Sequence, residues 1–183
     1  ILEWQWDKVV TPYWKAHGRF AADHGVKIGI EMHPGFVVYN PETMLRLRAI
    51  GGAAVGANLD PSHLFWQGID PIQAVRLLGD AVHYVHAKDT QLYAANLPMT
   101  GVLDTKSYLK ERERSWMFRT VGYGHGAEWW SEFISTLRMY GYDKVLSIEH
   151  EDSLMSPDEG LTKAAALLNR LVIRDTPQAA WWV

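Results

Sequence analysis

Four residues of metal-ligating type close four short apolar runs: Glu31 after Lys27-Ile28-Gly29-Ile30, Asp60 after Val55-Gly56-Ala57-Asn58-Leu59, His86 after Val82-His83-Tyr84-Val85, and Glu149 after Val145-Leu146-Ser147-Ile148. Such runs read as buried strands, and in parallel α/β folds ligands and catalytic groups gather beyond the carboxyl ends of the strands. The recurrence points to one site built from Glu31, Asp60, His86 and Glu149. Three carboxylates and one imidazole make an oxygen-rich donor set, suited to a single Mn²⁺ or Mg²⁺ and compatible with Co²⁺ or Zn²⁺. A cation held there would chelate neighbouring oxygens of an α-hydroxy carbonyl compound and stabilise the enediolate left when a C–H proton departs. Glu31 and Glu149, placed on opposite sides of that carbon, are the expected catalytic acid and base. Taken singly, each residue has a blander reading: Asp60 as a helix cap, Glu149 as a solvated strand end, His86 as a core histidine. Their joint recurrence favours the site.

The elements that position these residues alternate. Residues 4 to 24 carry Trp6, Val9, Val10, Tyr13, Trp14, His17, Phe20 and Ala21 at helical spacing, interrupted by Pro12 and Gly18 and stopped by Gly25. Strand 26 to 32 follows, then a helix opened by Asn40-Pro41 and closed by Gly51-Gly52, then strand 54 to 60. Asp70-Pro71 starts another helix, which leads into strand 82 to 88. Residues 89 to 124 form an expected polar insertion or lid, in which Lys110-Glu111-Arg112-Glu113-Arg114 reads as a solvated helical face. A helix from Ala127 to Tyr140, strand 144 to 150 and a helix from Pro157 to Val172 complete the pattern before the Trp181-Trp182 tail.

Alternation along a strand adds a test of the site. If Glu149 faces inward, so do Ser147 and Val145, and the same rule groups Glu31 with Gly29, Asp60 with Asn58, and His86 with Tyr84 and Lys88. The opposite faces are apolar in all four strands. Lys88 and His33 then fall at the pocket mouth as substrate-binding candidates. His17, His24 and His83 are expected on helix or outer faces, His150 faces outward, and Glu151 and Asp152 read as loop charges. Gly122-Tyr123-Gly124-His125-Gly126 reads as a turn, and Trp4, Trp6, Trp14, Trp129 and Trp130 as packing residues.

Composition narrows the function classes. A formal charge of −3 and a pI near 6.2 supply no basic field for nucleic acid or an anionic membrane. The absence of Cys removes thiolate catalysis, disulfides and thiolate zinc sites. Without a signal peptide or an apolar run of spanning length, the expectation is a cytoplasmic protein acting on small molecules.

Ile30-Glu31-Met32-His33-Pro34-Gly35, Asn58-Leu59-Asp60-Pro61-Ser62-His63, His86-Ala87-Lys88-Asp89-Thr90 and Ser147-Ile148-Glu149-His150-Glu151-Asp152 resemble the xylose isomerase-like sugar phosphate isomerase/epimerase superfamily of (β/α)8 TIM barrels. The resemblance implies that residues 1–183 form one such domain, covering about the last four βα units and apparently lacking the N-terminal half. It implies that Glu31, Asp60, His86 and Glu149 bind one divalent cation and that His63 contacts a substrate oxygen. An open half would pair with another copy or with a separate first half. The arginine that follows the metal histidine in the sugar 3-epimerase branch has no counterpart in Asp89-Thr90-Gln91-Leu92, and Trp116 to Thr120 lacks the Asp-x-His pair of the trinuclear zinc endonucleases. The expected activity is isomerisation or epimerisation of a sugar, polyol or keto-sugar. Two alternatives stand beside it: a lyase or dehydratase acting on a keto-sugar or keto-inositol at the same site, and a non-catalytic half-barrel subunit that needs a partner.

Overall fold

The computed structural model describes residues 1–176, so the Trp181-Trp182 tail lies outside the described residues. The chain opens with α1 (Leu2–Gln5), a π-helical turn at Trp6–Val10 and α2 (Thr11–Asp23), with helical backbone at both junctions. Pro12 therefore does not break the helix. Proline lacks the N–H for an i−4 bond and its ring crowds the carbonyl one turn back, and the widened π turn just before it relieves both problems. The extra residue also rotates the buried stripe. Trp6, Val10, Gly18 and Ala21 are buried, whereas Val9, Tyr13 and Phe20 of the expected stripe are exposed, as is Trp4. Gly18 has a specific reason to be glycine: a Cβ there would overlap the Gly51 carbonyl of the neighbouring helix.

The rest alternates as expected, with shorter strands and one added short helix, α4: β1 (Ile28–Glu31), α3 (Pro41–Gly51), β2 (Val55–Leu59), α4 (Pro61–Phe65), α5 (Pro71–Leu78) and β3 (Val82–Ala87). Asn40 and Thr43 form a reciprocal cap on α3, and Asp70 caps α5 through the Ile72 amide. After β3 the insertion contributes β4 (Asp89–Leu92), α6 (Leu97–Thr100) and β5 (Trp116–Arg119), before α7 (Ala127–Met139), β6 (Leu146–Ile148) and α8 (Pro157–Leu171).

The parallel sheet runs β1-β2-β3-β6, and β4 and β5 make a separate antiparallel hairpin. Leu47, Leu59, Val75, Val85, Ala87, Phe133 and Leu168 belong to one buried cluster between the sheet and its helices. The other sheet face is open: Gly29 and Val145 are exposed and Tyr84 is 37% exposed. This is an α/β arc of parallel strands and covering helices, part of a barrel that does not close on itself; β1 and β6 are its edges among the described residues.

The insertion is less polar than its sequence implies. Trp116 and Phe118 pack with Trp66 of the loop after α4, and the two tryptophan rings stack at 4.6 Å. The charged run at 110 to 114 is not a solvated helix. It makes one 3₁₀ turn at Glu111–Glu113, and Arg114 is buried between the Tyr108 and Trp116 rings, donating to the Lys106 and Trp116 carbonyls. No helix among the described residues is long and apolar enough to cross a membrane.

Candidate metal centre

Strand register brings the four residues together. Glu31 aligns with Asn58, Asn58 with Tyr84, and His86 with Ser147. Asp60, His86 and Glu149 each lie two residues beyond one of these partners, so all four share a face while their positions climb across the sheet, as the stagger of a barrel requires. An irregularity between Ala57 and Asn58 skips His83 and sets Tyr84 opposite Asn58, which keeps His86 on that face. One ligand atom from each of Glu31, Asp60, His86 and Glu149 lies within 4.8 Å of every other.

His86 Nδ1 is the hub, 2.9 Å from Glu31 Oε1, 3.4 Å from Glu149 Oε1 and 4.0 Å from Asp60 Oδ2. The bond to Glu31 raises the His86 pKa against burial and lowers that of Glu31. Asp60 divides its carboxylate. Oδ1 caps α4 by accepting from the Ser62 amide at 2.8 Å, while Oδ2 is buried without a hydrogen-bond partner. Burial pushes its pKa up to about 7. The cap reading and the ligand reading thus describe two oxygens of one side chain.

These residues fit a divalent cation. The unpartnered Asp60 oxygen faces the other donors, and the set combines carboxylate oxygens with one imidazole nitrogen. The far side of His86 fits too: Nε2 lies 3.1 Å from the Asn58 amide nitrogen, while Asn58 Oδ1 is buried without a partner. A half-turn of that amide would let Oδ1 accept from Nε2–H and leave the Nδ1 lone pair for a metal.

The substrate-binding candidates are placed unevenly. His63 is buried, with Nε2 3.5 Å from Asp60 Oδ2 and 4.0 Å from Glu31 Oε2, and burial lowers its pKa to about 3, so it is neutral. Lys88 is 3% exposed, with Nζ 3.1 Å from both Glu149 Oε2 and Glu151 Oε2. Burial opposes its charge, but Asp60, Glu151 and Glu149 outweigh it and its pKa is raised. His33 stands further out, its ring 4.3 Å from His63 and its Nδ1 donating to the Pro34 carbonyl.

Several residues carry more than their sequence reading assigned. Glu151 pairs with Lys88, and Asp152 is no loose loop charge: it is buried and accepts from the Thr120 and Leu154 amides and from Arg119. Asp89 had no assigned role. Its buried carboxylate accepts from the amides of Thr90, Gly122, Gly124 and His125, from the His125 ring and from Trp130 Nε1. The glycine turn is thus a cradle for Asp89. His17, His24 and His83 stay away from the cluster, bonded to the carbonyls of Tyr13, Phe20 and Ile28.

The sequence matches the family described as xylose isomerase-like TIM barrel over residues 2–171. The chain belongs to that family. It is 43% identical over 173 residues to the uncharacterized protein YfiH of Bacillus subtilis (strain 168), covering 94% of this chain and 55% of that protein. Among solved structures it is similar to the probable 3-DHS dehydratase AsbF from Bacillus anthracis, with a TM-score of 0.62, 17% identity and coverage of 87% of this chain and 56% of that one. It is also similar to the IOLI protein with a bound zinc atom, with a TM-score of 0.60, 22% identity and coverage of 90% and 55%. The chain spans about half the length of each of these relatives. These likenesses between structures carry the fold, and the open sheet matches a part of a barrel.

Proposed function

We propose that this chain carries the metal site of a divalent-cation-dependent isomerase or epimerase acting on a polyhydroxylated carbonyl compound. The observation that carries the reading is the convergence of the four donor atoms within 4.8 Å, one of them a buried carboxylate oxygen without any other partner. Zinc is the metal in the IOLI structure, and the oxygen-rich donor set here favours Mn²⁺ or Mg²⁺. When bound, the cation supplies charge stabilisation for the enediolate formed on proton removal.

The protein's own groups do the rest. Glu31 and Glu149 come from β1 and β6, the two outer strands of the sheet, so they approach a substrate above β2 and β3 from opposite sides. One takes the proton and the other returns it to the opposite face of the same carbon, which gives epimerisation; delivery by the same carboxylate to the neighbouring carbon gives isomerisation. His63, neutral and buried beside Asp60, offers an N–H to a substrate oxygen, and Lys88 holds Glu149 in place with its ammonium. A dehydratase, the activity proposed for AsbF, would be built here on the same proton removal followed by expulsion of a hydroxyl. Solvent deuterium entering recovered substrate without loss of water separates the two.

Titration with Mn²⁺ followed by calorimetry should saturate near one equivalent, and His86→Ala should abolish it. Glu31→Gln and Glu149→Gln should each slow deuterium exchange by about 10²- to 10⁴-fold. Unchanged Mn²⁺ binding in the His86 variant, or full exchange in both Gln variants, overturns the assignment.

A further inference from the structure

The ladder between β2 and β3 is irregular at one residue. Val82 aligns with Ala57 and Tyr84 with Asn58, so His83 is an added residue in a parallel pair, where bulges are rare. Its effect reaches the candidate metal centre. An uninterrupted ladder that kept Val82 beside Ala57 would set His83 opposite Asn58 and Val85 level with Asp60, and would turn His86 toward the helices. With the bulge, Val82 and Val85 both join the buried cluster, although they are three residues apart, and His86 stays beside Glu31.

The added residue is tied to every strand of the parallel sheet. His83 is buried, and its Nδ1 donates to the Ile28 carbonyl of β1 at 3.0 Å while Nε2 accepts from Arg48 Nη1 at 3.3 Å. The same Arg48 nitrogen donates to the carbonyls of Ala53 and Val55, at the entry to β2, at 3.2 and 2.9 Å. Arg48 Nη2 donates to Asp80, in the turn before β3, at 2.7 Å. The His83 carbonyl accepts from Lys144 Nζ, two residues before β6, at 3.3 Å. Gly56 of β2 makes room for the ring, since a Cβ there would stand 2.7 Å from it. Burial lowers the His83 pKa, and Lys27, Arg48 and Lys144 add to that against the Ile28 bond. The ring is therefore neutral, with its proton on Nδ1 and its Nε2 lone pair toward Arg48.

Resting on the metal-site reading of the four donors, we infer that His83 is a positioning residue: pinned by Ile28 and Arg48, it fixes the bulge that holds His86 level with Asp60 and beside Glu31. It acts through strand register. An apolar side chain of similar bulk would fill the same space and hold none of these partners, leaving the β2–β3 offset to packing alone.

His83→Leu and His83→Asn, measured beside the parent, test this with two readouts. Leu matches the bulk of the imidazole without its hydrogen bonds, whereas the Asn amide can still donate to the Ile28 carbonyl. In metal-free chains carrying ¹⁵N-labelled histidine, the parent should show a slowly exchanging His86 ring proton bonded to Glu31, identified by its loss in His86→Ala. His83→Leu should lose that signal and raise the Kd for Mn²⁺ by about 10- to 100-fold, the range for groups that orient metal ligands. His83→Asn should keep the signal and a Kd close to the parent's. Arg48→Met, which leaves His83 in place, should move both readouts in the direction of the Leu variant, and it decides the matter if His83→Leu does not fold. An unchanged ring proton and Kd in His83→Leu or in Arg48→Met overturns the role, even where urea stability falls, because His83 would then only support the fold. An Asn variant no better than Leu overturns it as well. A parent that binds no Mn²⁺, with a His86 ring proton that still depends on His83, removes the metal reading and leaves the positioning role standing.

Discussion

Replacing Asp60 by Asn should make the metal-free chain more stable and unable to bind metal. The Asp60 side chain is fully buried, and burial raises its pKa from 3.8 to about 7. A carboxyl whose native pKa exceeds its unfolded value favours the folded state below the unfolded pKa and loses that advantage as pH rises through the native pKa. At about 1.4 kcal/mol per pKa unit, ionised Asp60 costs the native chain ~4 kcal/mol at pH 8. At pH 5, where the native group is protonated and only the unfolded one is ionised, the cost is ~2 kcal/mol. Asn keeps the cap on the Ser62 amide, because its Oδ1 replaces that of Asp. Urea unfolding in EDTA should therefore show Asp60→Asn more stable than the parent, with a margin that shrinks from pH 8 to pH 5. Saturating Mn²⁺ should reverse the order, adding about 2.7 kcal/mol to the parent at a hundredfold excess over Kd and nothing to the variant. A variant less stable than the parent at pH 8 in EDTA, or equal stabilisation of both by Mn²⁺, refutes the reasoning.

Asp89→Ala strands buried donors from the glycine turn and Trp130, each costing about 1–3 kcal/mol; urea unfolding should show a loss of at least ~3 kcal/mol, and a loss under ~1 kcal/mol would show that water satisfies them. Gly18→Ala drives a Cβ into the Gly51 carbonyl, so α2 and α3 must separate, and a loss of about 1–3 kcal/mol should appear as a lower Tm; an unchanged Tm refutes the close approach. The edges of β1 and β6, unpaired among the described residues, and the exposed Gly29, Tyr84 and Val145 favour association, and small-angle scattering should report a particle heavier than 20.8 kDa. A cooperatively unfolding monomer would contradict it.

The clustering of the four donor residues was legible because its information is local to strand ends. An apolar run, a period of two and a terminal ligand residue suffice to place Glu31, Asp60, His86 and Glu149 on one face. Helix starts were legible for the same reason, since Asn40-Pro41 and Asp70-Pro71 carry their own capping chemistry. Asp60-Pro61 carries the same signal, but the 5 residues of α4 are too few to show an apolar period, and the sequence reading passes from strand 54 to 60 to the helix at Asp70-Pro71. The roles that were not legible depend on distant partners. Arg114 sits in a run that alternates in charge, and the Tyr108 and Trp116 rings together with the Lys106 and Trp116 carbonyls make its burial tolerable. Apart from the Thr90 amide, Asp89 finds its donors 33 to 41 residues away, in Trp130 and in a glycine turn whose local sequence says only that the chain bends. The π turn before Pro12 shows a third kind of failure. The apolar spacing was real, but one added residue rotated half of the helix and exposed Tyr13 and Phe20.

The protonation pattern of the cluster ties these observations to the proposed chemistry. Four carboxylates, those of Glu31, Asp60, Glu149 and Glu151, crowd around Lys88 and His86. Without a metal, burial raises Asp60 toward neutrality, and His86 is raised by the bond to Glu31 and by the nearby carboxylates. Both protons sit on donor atoms that a divalent cation would need deprotonated, so metal and protons compete for the same lone pairs. Lys88 does not take part in that competition, because its raised pKa keeps it charged whichever occupant is present. It offsets part of the carboxylate repulsion at all relevant pH values, and Asp89, the next residue, fixes its backbone to the glycine turn. The permanent cation is anchored by the scaffold, while the exchangeable positive charge, proton or metal, is left to the face that Glu31, Asp60, His86 and Glu149 share.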